Sequence, residues 1–239
     1  MYIESHKQVA PSDNRAEGCA ACDARAHSPC AVLEGHDLER LARVAVHQHV
    51  KPDQIFIEEG APATCFFNIT AGTARLYKSL PDGRRQITGF ARAGDFLGLA
   101  VSTEYGFSAE AIDHVRLCRF TRANLHRLLE DFPAMERRLL ETAGNELVAA
   151  QDQMLLLGRK TASERLASFL VSLSRGGAPN ALHLPMSRSD IADYLGLTIE
   201  TVSRTFTKFK SAGLLSLPTV TEVEILDQRR LARLAEGAT

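Results

Sequence analysis

"RSDIADYLGLTIETVSR", residues 188–204, decides how the rest of the chain is read. Ile191, Ala192 and Leu195 fall on one face of a short helix, Gly196 and Leu197 make a tight turn, and Thr198 is a hydroxyl N-cap for a second helix. In that second helix Ile199, Val202, Phe206 and Phe209 share the inner face, leaving Glu200, Ser203, Arg204, Thr207 and Lys208 outside. This is helix-turn-helix grammar, and the outer face carries the groups that read base edges in a major groove. Arginine can be bidentate to guanine, glutamate accepts from cytosine N4, and serine takes either role. Ser187 and Arg188 at the start of the first helix, and Thr198 and Thr201 at the start of the second, complete the candidate DNA-binding set. Lys208 and Lys210 lie further along, where phosphate contact is expected. Downstream, "LLSLPTVTEVEILD" at 214–227 alternates around Pro218 and predicts a β-hairpin wing.

Upstream, a helix is expected after Pro133. Leu140, Ala143, Leu147, Ala150, Met154 and Leu157 repeat at alternating steps of three and four, the seam of a coiled coil that pairs with a second copy. Val148 and Leu155 form a second apolar face, assigned here to packing on the preceding domain. From Val50 to Phe120 short apolar or alternating runs are cut by Gly60, Gly72, Pro81-Asp82-Gly83 and Gly94, which predicts a small antiparallel β-roll. Leu38, Leu41, Ala42 and Ala45 predict a short amphipathic helix at about 36–47. The fold class expected is α+β. Its parts are an N-terminal segment 1–30, a β-roll sensor domain 31–133, a dimerisation helix 134–158 and a winged helix-turn-helix domain 159–239.

Composition sets outer limits. A chain of 239 residues, 45% hydrophobic and 24% charged, suits two soluble globular domains, and no apolar run approaches the roughly 18 residues of a membrane span. The N-terminus lacks a basic region followed by an apolar one, so a cytoplasmic location is expected. The net charge of −1 divides into 17 Lys/Arg against 21 Asp/Glu over 1–158 and 11 against 8 over 159–239, which makes the last third the cationic one. An enzyme is not expected: there is no phosphate loop, nucleophile elbow or His-Glu metalloprotease pattern.

"GCAACDARAHSPCAV", residues 18–32, places Cys19, Cys22 and Cys30 just after a polar lead, 1–18, that is expected to have little structure without a ligand. With Cys65 and Cys118 the count is five, an odd number that in a reducing compartment favours ligation or redox chemistry over a disulfide framework. From the residues alone, zinc and a redox-active group both stand open. Cys65 opens the apolar run "CFFNI" and reads as a small buried hydrophobe. His47, His49 and His114 are scattered and read as surface or hydrogen-bonded groups rather than haem ligands.

A β-roll, a long helix and "RSDIADYLGLTIETVSR" in that order resemble the CRP/FNR superfamily of bacterial transcription regulators over about residues 30–239. Glu200, Ser203 and Arg204 match the recognition-helix residues of the FNR branch, which implies a homodimer on a TTGA…TCAA-like palindrome of double-stranded DNA. The resemblance further implies an oxygen-labile [4Fe-4S] cluster held by Cys19, Cys22, Cys30 and Cys118, making the chain an oxygen- or redox-responsive regulator; the alternative is structural zinc or haem in place of the cluster. The spacing resembles the Cys-x2-Cys-x7-Cys type. Leu99 and Phe107 stand where cyclic-nucleotide-binding members carry Glu and Arg, so a cyclic nucleotide is not expected. The hairpin "SLPDGRRQITG" at 79–89 corresponds to a surface for RNA polymerase. Ala150 stands where some relatives carry a carboxylate that repels its twin, which implies more dimer without the cluster here than in those relatives.

Overall fold

The computed structural model describes residues 15–99, 103–174 and 180–237. The part of the polar lead at 1–14 lies outside the described residues. The remainder is ordered: α1 (Arg15–Ala20) is followed by two 3-10 turns, Asp23–His27 and Pro29–Val32. The second turn is started by Ser28, whose hydroxyl accepts from the Cys30 amide, with Pro29 at the first helical position.

Helix α2 (Gly35–Val44) buries Leu38, Leu41 and Ala42 as their spacing predicts, but it ends three residues short of the expected boundary. Ala45 is already extended, and the alternating "VHQHV" becomes β1 (Val46–Val50), so the roll begins earlier than expected and takes His47 and His49 with it. Val46 and Val50 favour a pleated surface over a last helical turn.

The roll continues through β2 (Ile55–Ile57), β3 (Cys65–Ala71), β4 (Ala74–Ser79), β5 (Arg85–Ala91), β6 (Phe96–Leu97), β7 (Ser108–Ala111) and β8 (Val115–Thr121). Two four-stranded sheets result, β1-β8-β3-β6 and β2-β7-β4-β5, with antiparallel pairing throughout. Alternation along β8 assigns its side chains: Val115 and Leu117 point into the roll with Ile57, Phe67 and Ile69, while Cys118 and Phe120 belong to an outer layer. That layer is closed by Leu41 of α2, Leu125 and Leu128 of α3 (Arg122–Asp131), and Met135 and Leu139 of α4 (Pro133–Arg159).

With 27 residues α4 is about 40 Å long. Among the described residues only its ends are covered: Met135 and Leu139 by the roll side, Leu156 by the C-terminal core. Leu140, Leu147, Val148, Met154 and Leu155 between them are 56–68% exposed. The assignment of Val148 and Leu155 to the roll is therefore corrected. The first two turns already complete the outer layer, and the helix then runs clear of it. Leu157, placed in the seam by its spacing, is half-buried against the C-terminal core.

The last third comprises α5 (Ala162–Ser174), β9 (Ala181–His183), α6 (Arg188–Leu195), α7 (Ile199–Ser211), β10 (Leu215–Ser216), β11 (Glu222–Ile225) and α8 (Gln228–Ala235). The wing hairpin forms as expected, Leu215 opposite Ile225, and β9 adds a third strand on the other side of β11. Leu166, Leu170, Ile191, Leu195, Val202 and Phe209 fill the core, each at most 1% exposed. Among the described residues no helix is long and apolar enough to cross a membrane.

The roll and this domain touch through the β4–β5 hairpin. Phe90 packs on Phe169 and Tyr194 with centroids 6.2 and 5.4 Å apart, and Gln86 donates to the Asp193 carbonyl at 2.6 Å. Arg75 and Arg85 reach Asp190 at 3.3 and 2.9 Å. The hairpin assigned to RNA polymerase is thus held at its base by α6, and its tip, residues 80–84, is exposed.

Candidate DNA-reading helix and thiol cavity

Local chemistry sets the helix-turn-helix. Ser187 and Asp190 form a reciprocal capping box: the Asp190 amide donates to Ser187 Oγ at 3.1 Å, and the Ser187 amide donates to Asp190 Oδ2 at 3.0 Å. Gly196 closes α6 in the left-handed region at φ 61°, and Thr198 Oγ1 accepts from the Thr201 amide at 3.2 Å to open α7. Val202, Phe206 and Phe209 are buried as predicted. Ile199 is not: it is 44% exposed, because the first helical turn projects beyond the core. The buried position belongs to Thr205, whose hydroxyl is satisfied by the Thr201 carbonyl at 2.7 Å.

Glu200, Ser203, Arg204, Thr207 and Lys208 are all exposed on the outer face of α7. The Glu200 carboxyl lies below its ordinary range, held there first by its own backbone N–H, then by Thr198 and Arg204. It is an anionic acceptor at neutral pH. Two of the expected contact residues are engaged within the chain. Ser187 Oγ donates to Asp190 Oδ2 at 2.7 Å, and the Arg188 guanidinium is half-buried, stacked 3.5 Å from the Phe206 ring centroid. Arg188 thereby ties α6 to α7.

The second feature is a cavity of about 360 Å³ at the outer face of the β1-β8-β3 sheet. Cys19 from α1, Cys22 and Cys30 from the turns, and Cys118 from β8 all line it. The structure brings together the four thiols that the resemblance implied. Cys19, Cys30 and Cys118 are buried and Cys22 is half-buried, all as free thiols. Burial pushes the Cys19 thiol up and the Cys30 thiol up to about 11. Cys118 is raised further, by burial first and then by Cys19, Cys30 and Cys22. Thiolates there need a cation.

Among the described residues no group of three or more His, Cys, Asp or Glu is assembled to hold a single metal ion. The four thiols line one cavity, and four cysteine donors are chemically suited to an iron–sulfide core as well as to zinc. The lead is seated closely: a Cβ at Gly94, where φ is 101°, would lie 2.8 Å from His27 Cβ. Cys30 and Leu33 share the outer layer with Met135 and Leu139, so the lead touches the first turns of α4.

Cys65 lies elsewhere, half-buried beside a different cavity with Arg119 and Thr103. His114 is exposed, but His47 and His49 do line the thiol cavity, together with Asn68. The sequence reading left these three out of the site. The available signal was the alternation of Val46–Val50, which puts His47 and His49 on one face of a strand; that the face lies beside Cys118 comes only from the pairing.

The comparisons with known proteins agree with this architecture. A family described as the Crp-like helix-turn-helix domain matches residues 164–234, and one described as the cyclic nucleotide-binding domain matches 47–132. The transcriptional activatory protein AadR of Rhodopseudomonas palustris is 46% identical over 219 residues, covering 90% of this chain and 91% of its own. The nitrogen fixation regulation protein FixK of Bradyrhizobium diazoefficiens is 43% identical over 222 residues, covering 91% and 93%. The solved structure of FixK2 from Bradyrhizobium japonicum superposes with a TM-score of 0.76 at 38% identity, over 80% of this chain and 97% of that one. With a roll, a long helix and a winged helix-turn-helix in the same order, and relatives of this identity along nine-tenths of its length, the chain belongs to the CRP/FNR superfamily of transcription regulators.

Proposed function

We propose that this regulator responds to oxygen or redox state, binding a TTGA…TCAA-like palindrome as a homodimer under the control of an oxygen-labile [4Fe-4S] cluster. Cys19, Cys22, Cys30 and Cys118 would hold the cluster, and the observation that carries the reading is that the three clustered thiols and the distant Cys118 line one cavity. When bound, the group supplies sensitivity to oxygen. The protein's own part is mechanical. The Pro29–Val32 turn bears on Met135 and Leu139, so seating the lead biases the start of α4, whose exposed stretch from Leu140 to Leu155 is the surface for a second copy. Pairing places two α7 helices on one palindrome, and each half-site then gains effective concentration from the other.

Glu200, Ser203 and Arg204 read bases, and Lys208 meets phosphate. The exposed tip at 80–84 is open to RNA polymerase. A cyclic nucleotide is not part of this function: Leu99 packs on the outer layer and Phe107 on the roll interior, apolar groups where a sugar hydroxyl and a phosphate need polar partners.

The test is purification under nitrogen, with iron and sulfide analysis, a visible spectrum and binding to a palindromic duplex before and after air. The expected result is broad absorbance near roughly 400–420 nm, characteristic of such clusters, that bleaches in air together with loss of duplex affinity. Cys118→Ser should abolish cluster retention, and Cys65→Ser should keep it. A colourless protein holding zinc, or a sharp Soret band, selects the alternatives. Iron-free, sulfide-free protein that binds the duplex unchanged overturns the reading.

A further inference from the structure

Strand β8 runs between β1 and β3, and the register sets His47 directly across from Cys118 on one side and Asn68 directly across on the other. Residues paired in this way share a face of the sheet, so the three side chains form one row at the edge of the thiol cavity, which all three line. On one side the row is flanked by apolar Phe66, Phe120 and Leu41, and on the other by Arg116 and His49 at the cavity wall.

Two members of the row carry polar atoms without a partner among the described residues: His47 Nε2 and Asn68 Oδ1 are buried and make no hydrogen bond there. Asn68 is 2% exposed, and Gly18 closes over the imidazole so tightly that a Cβ there would lie 3.2 Å from Nε2. A buried amide left unpaired is destabilising, and a fold would shed it through an apolar residue unless the group has a partner. The polar contact His47 makes among the described residues is with the cysteine: Nδ1 lies 3.5 Å from Cys118 Sγ. Asn68, whose amide can present either end to the cavity, stands on the opposite flank.

We propose that His47 and Asn68 are positioning residues for the iron–sulfur group: His47 donates Nδ1–H to the metal-bound Cys118 sulfur, and Asn68 donates its amide N–H to a sulfur of the same group from the other side. This rests on the cluster reading above. Donors to sulfur draw charge from it, favour the more reduced state and strengthen retention of the metal, as outer-shell partners of metal ligands do. The four thiols then supply attachment, and the row sets how long the group survives.

The experiment compares the full-length protein with His47→Leu, His47→Gln and Asn68→Leu, each reconstituted with iron and sulfide under nitrogen. It reads the midpoint potential, and iron release to an excess of chelator. His47→Leu is expected to lower the potential and to release iron about 10-fold faster or more; His47→Gln, which keeps an N–H donor, returns both toward the original values. Asn68→Leu moves both in the same direction as His47→Leu. Circular dichroism of the cluster-free proteins reports whether each variant folds; if His47→Leu does not, the decision passes to Asn68→Leu and His47→Gln. Unchanged potential and release rate in the folded leucine variants overturns the proposal while leaving the four-cysteine reading intact. Failure of the unsubstituted protein to take up iron and sulfide overturns that reading, and this one with it.

Discussion

At Asp190 one carboxylate is used four times over. It accepts from the Ser187 amide and hydroxyl to cap α6, and from Arg75 and Arg85 to hold that helix against the roll, with the side chain only 3% exposed. Removing it loses the cap and the bond to Arg85, while Arg75 keeps Glu110 at 2.6 Å and Asp53 at 3.1 Å, so Asp190→Ala is expected to cost about 1–3 kcal/mol in urea unfolding. A loss under about 1 kcal/mol would mean the pairs are solvent-screened. Arg204, exposed on α7, belongs to the other class of residue, where the loss is in recognition. Arg204→Ala should weaken binding by about 1–3 kcal/mol at the matching guanine and relax the preference there; an equal loss on every duplex sequence would mark a phosphate contact. The outer face of α7 was legible because a helical period sorts it from the inner face without further information. His47 and Asn68 were not, because their significance comes from lying opposite Cys118 across two strand pairings, and pairing is invisible in an unpaired string.

Among the elements, the turn between α6 and α7 was the most legible, since Gly196 and Thr198 each carry a conformational demand of their own. Gly196 has φ 61°, and a Cβ there would stand 3.2 Å from Leu157 Cδ2 and 3.3 Å from Arg165 Nη1. Gly196→Ala is therefore expected to lower stability by about 1–2 kcal/mol from backbone strain alone, read as a fall in thermal midpoint with no change in oligomeric state. Elements with no signal of their own fared worse. The three-residue β9 is defined only by its partner β11, and the end of α2 was misplaced because "VAVHQHV" continues a helical spacing and an alternating one at once. Ile199 shows the limit of periodicity at a helix end: the repeat names a face, but the first turn extends past the core that the face covers.

For the molecule as a whole, α4 is covered at both ends and bare between them. Leu140, Leu147, Val148, Met154 and Leu155 make an apolar surface wider than a simple seam, with no charge at Leu147 or Ala150 to oppose a twin. Loss of the cluster is accordingly expected to weaken the pairing without abolishing it, leaving a dimer fraction in sedimentation at micromolar concentration, and Leu147→Asp to remove that fraction while leaving the circular dichroism spectrum unchanged. A clean cluster-free monomer without the substitution would refute this. The order of roll, connector and winged domain was legible from changes in period. The contact of Phe90, Gln86, Arg75 and Arg85 with α6 was not, since each looks like an ordinary strand residue until the two domains are side by side.

The four sulfurs are mounted unequally. Cys118 sits mid-strand, bonded to neighbours on both flanks, whereas the other three ride together on one short helix and two tight turns. On the proposed reading, losing the bound group would free three anchors that share one short segment and leave the fourth fixed inside its sheet, so that the barrel itself would not have to be dismantled.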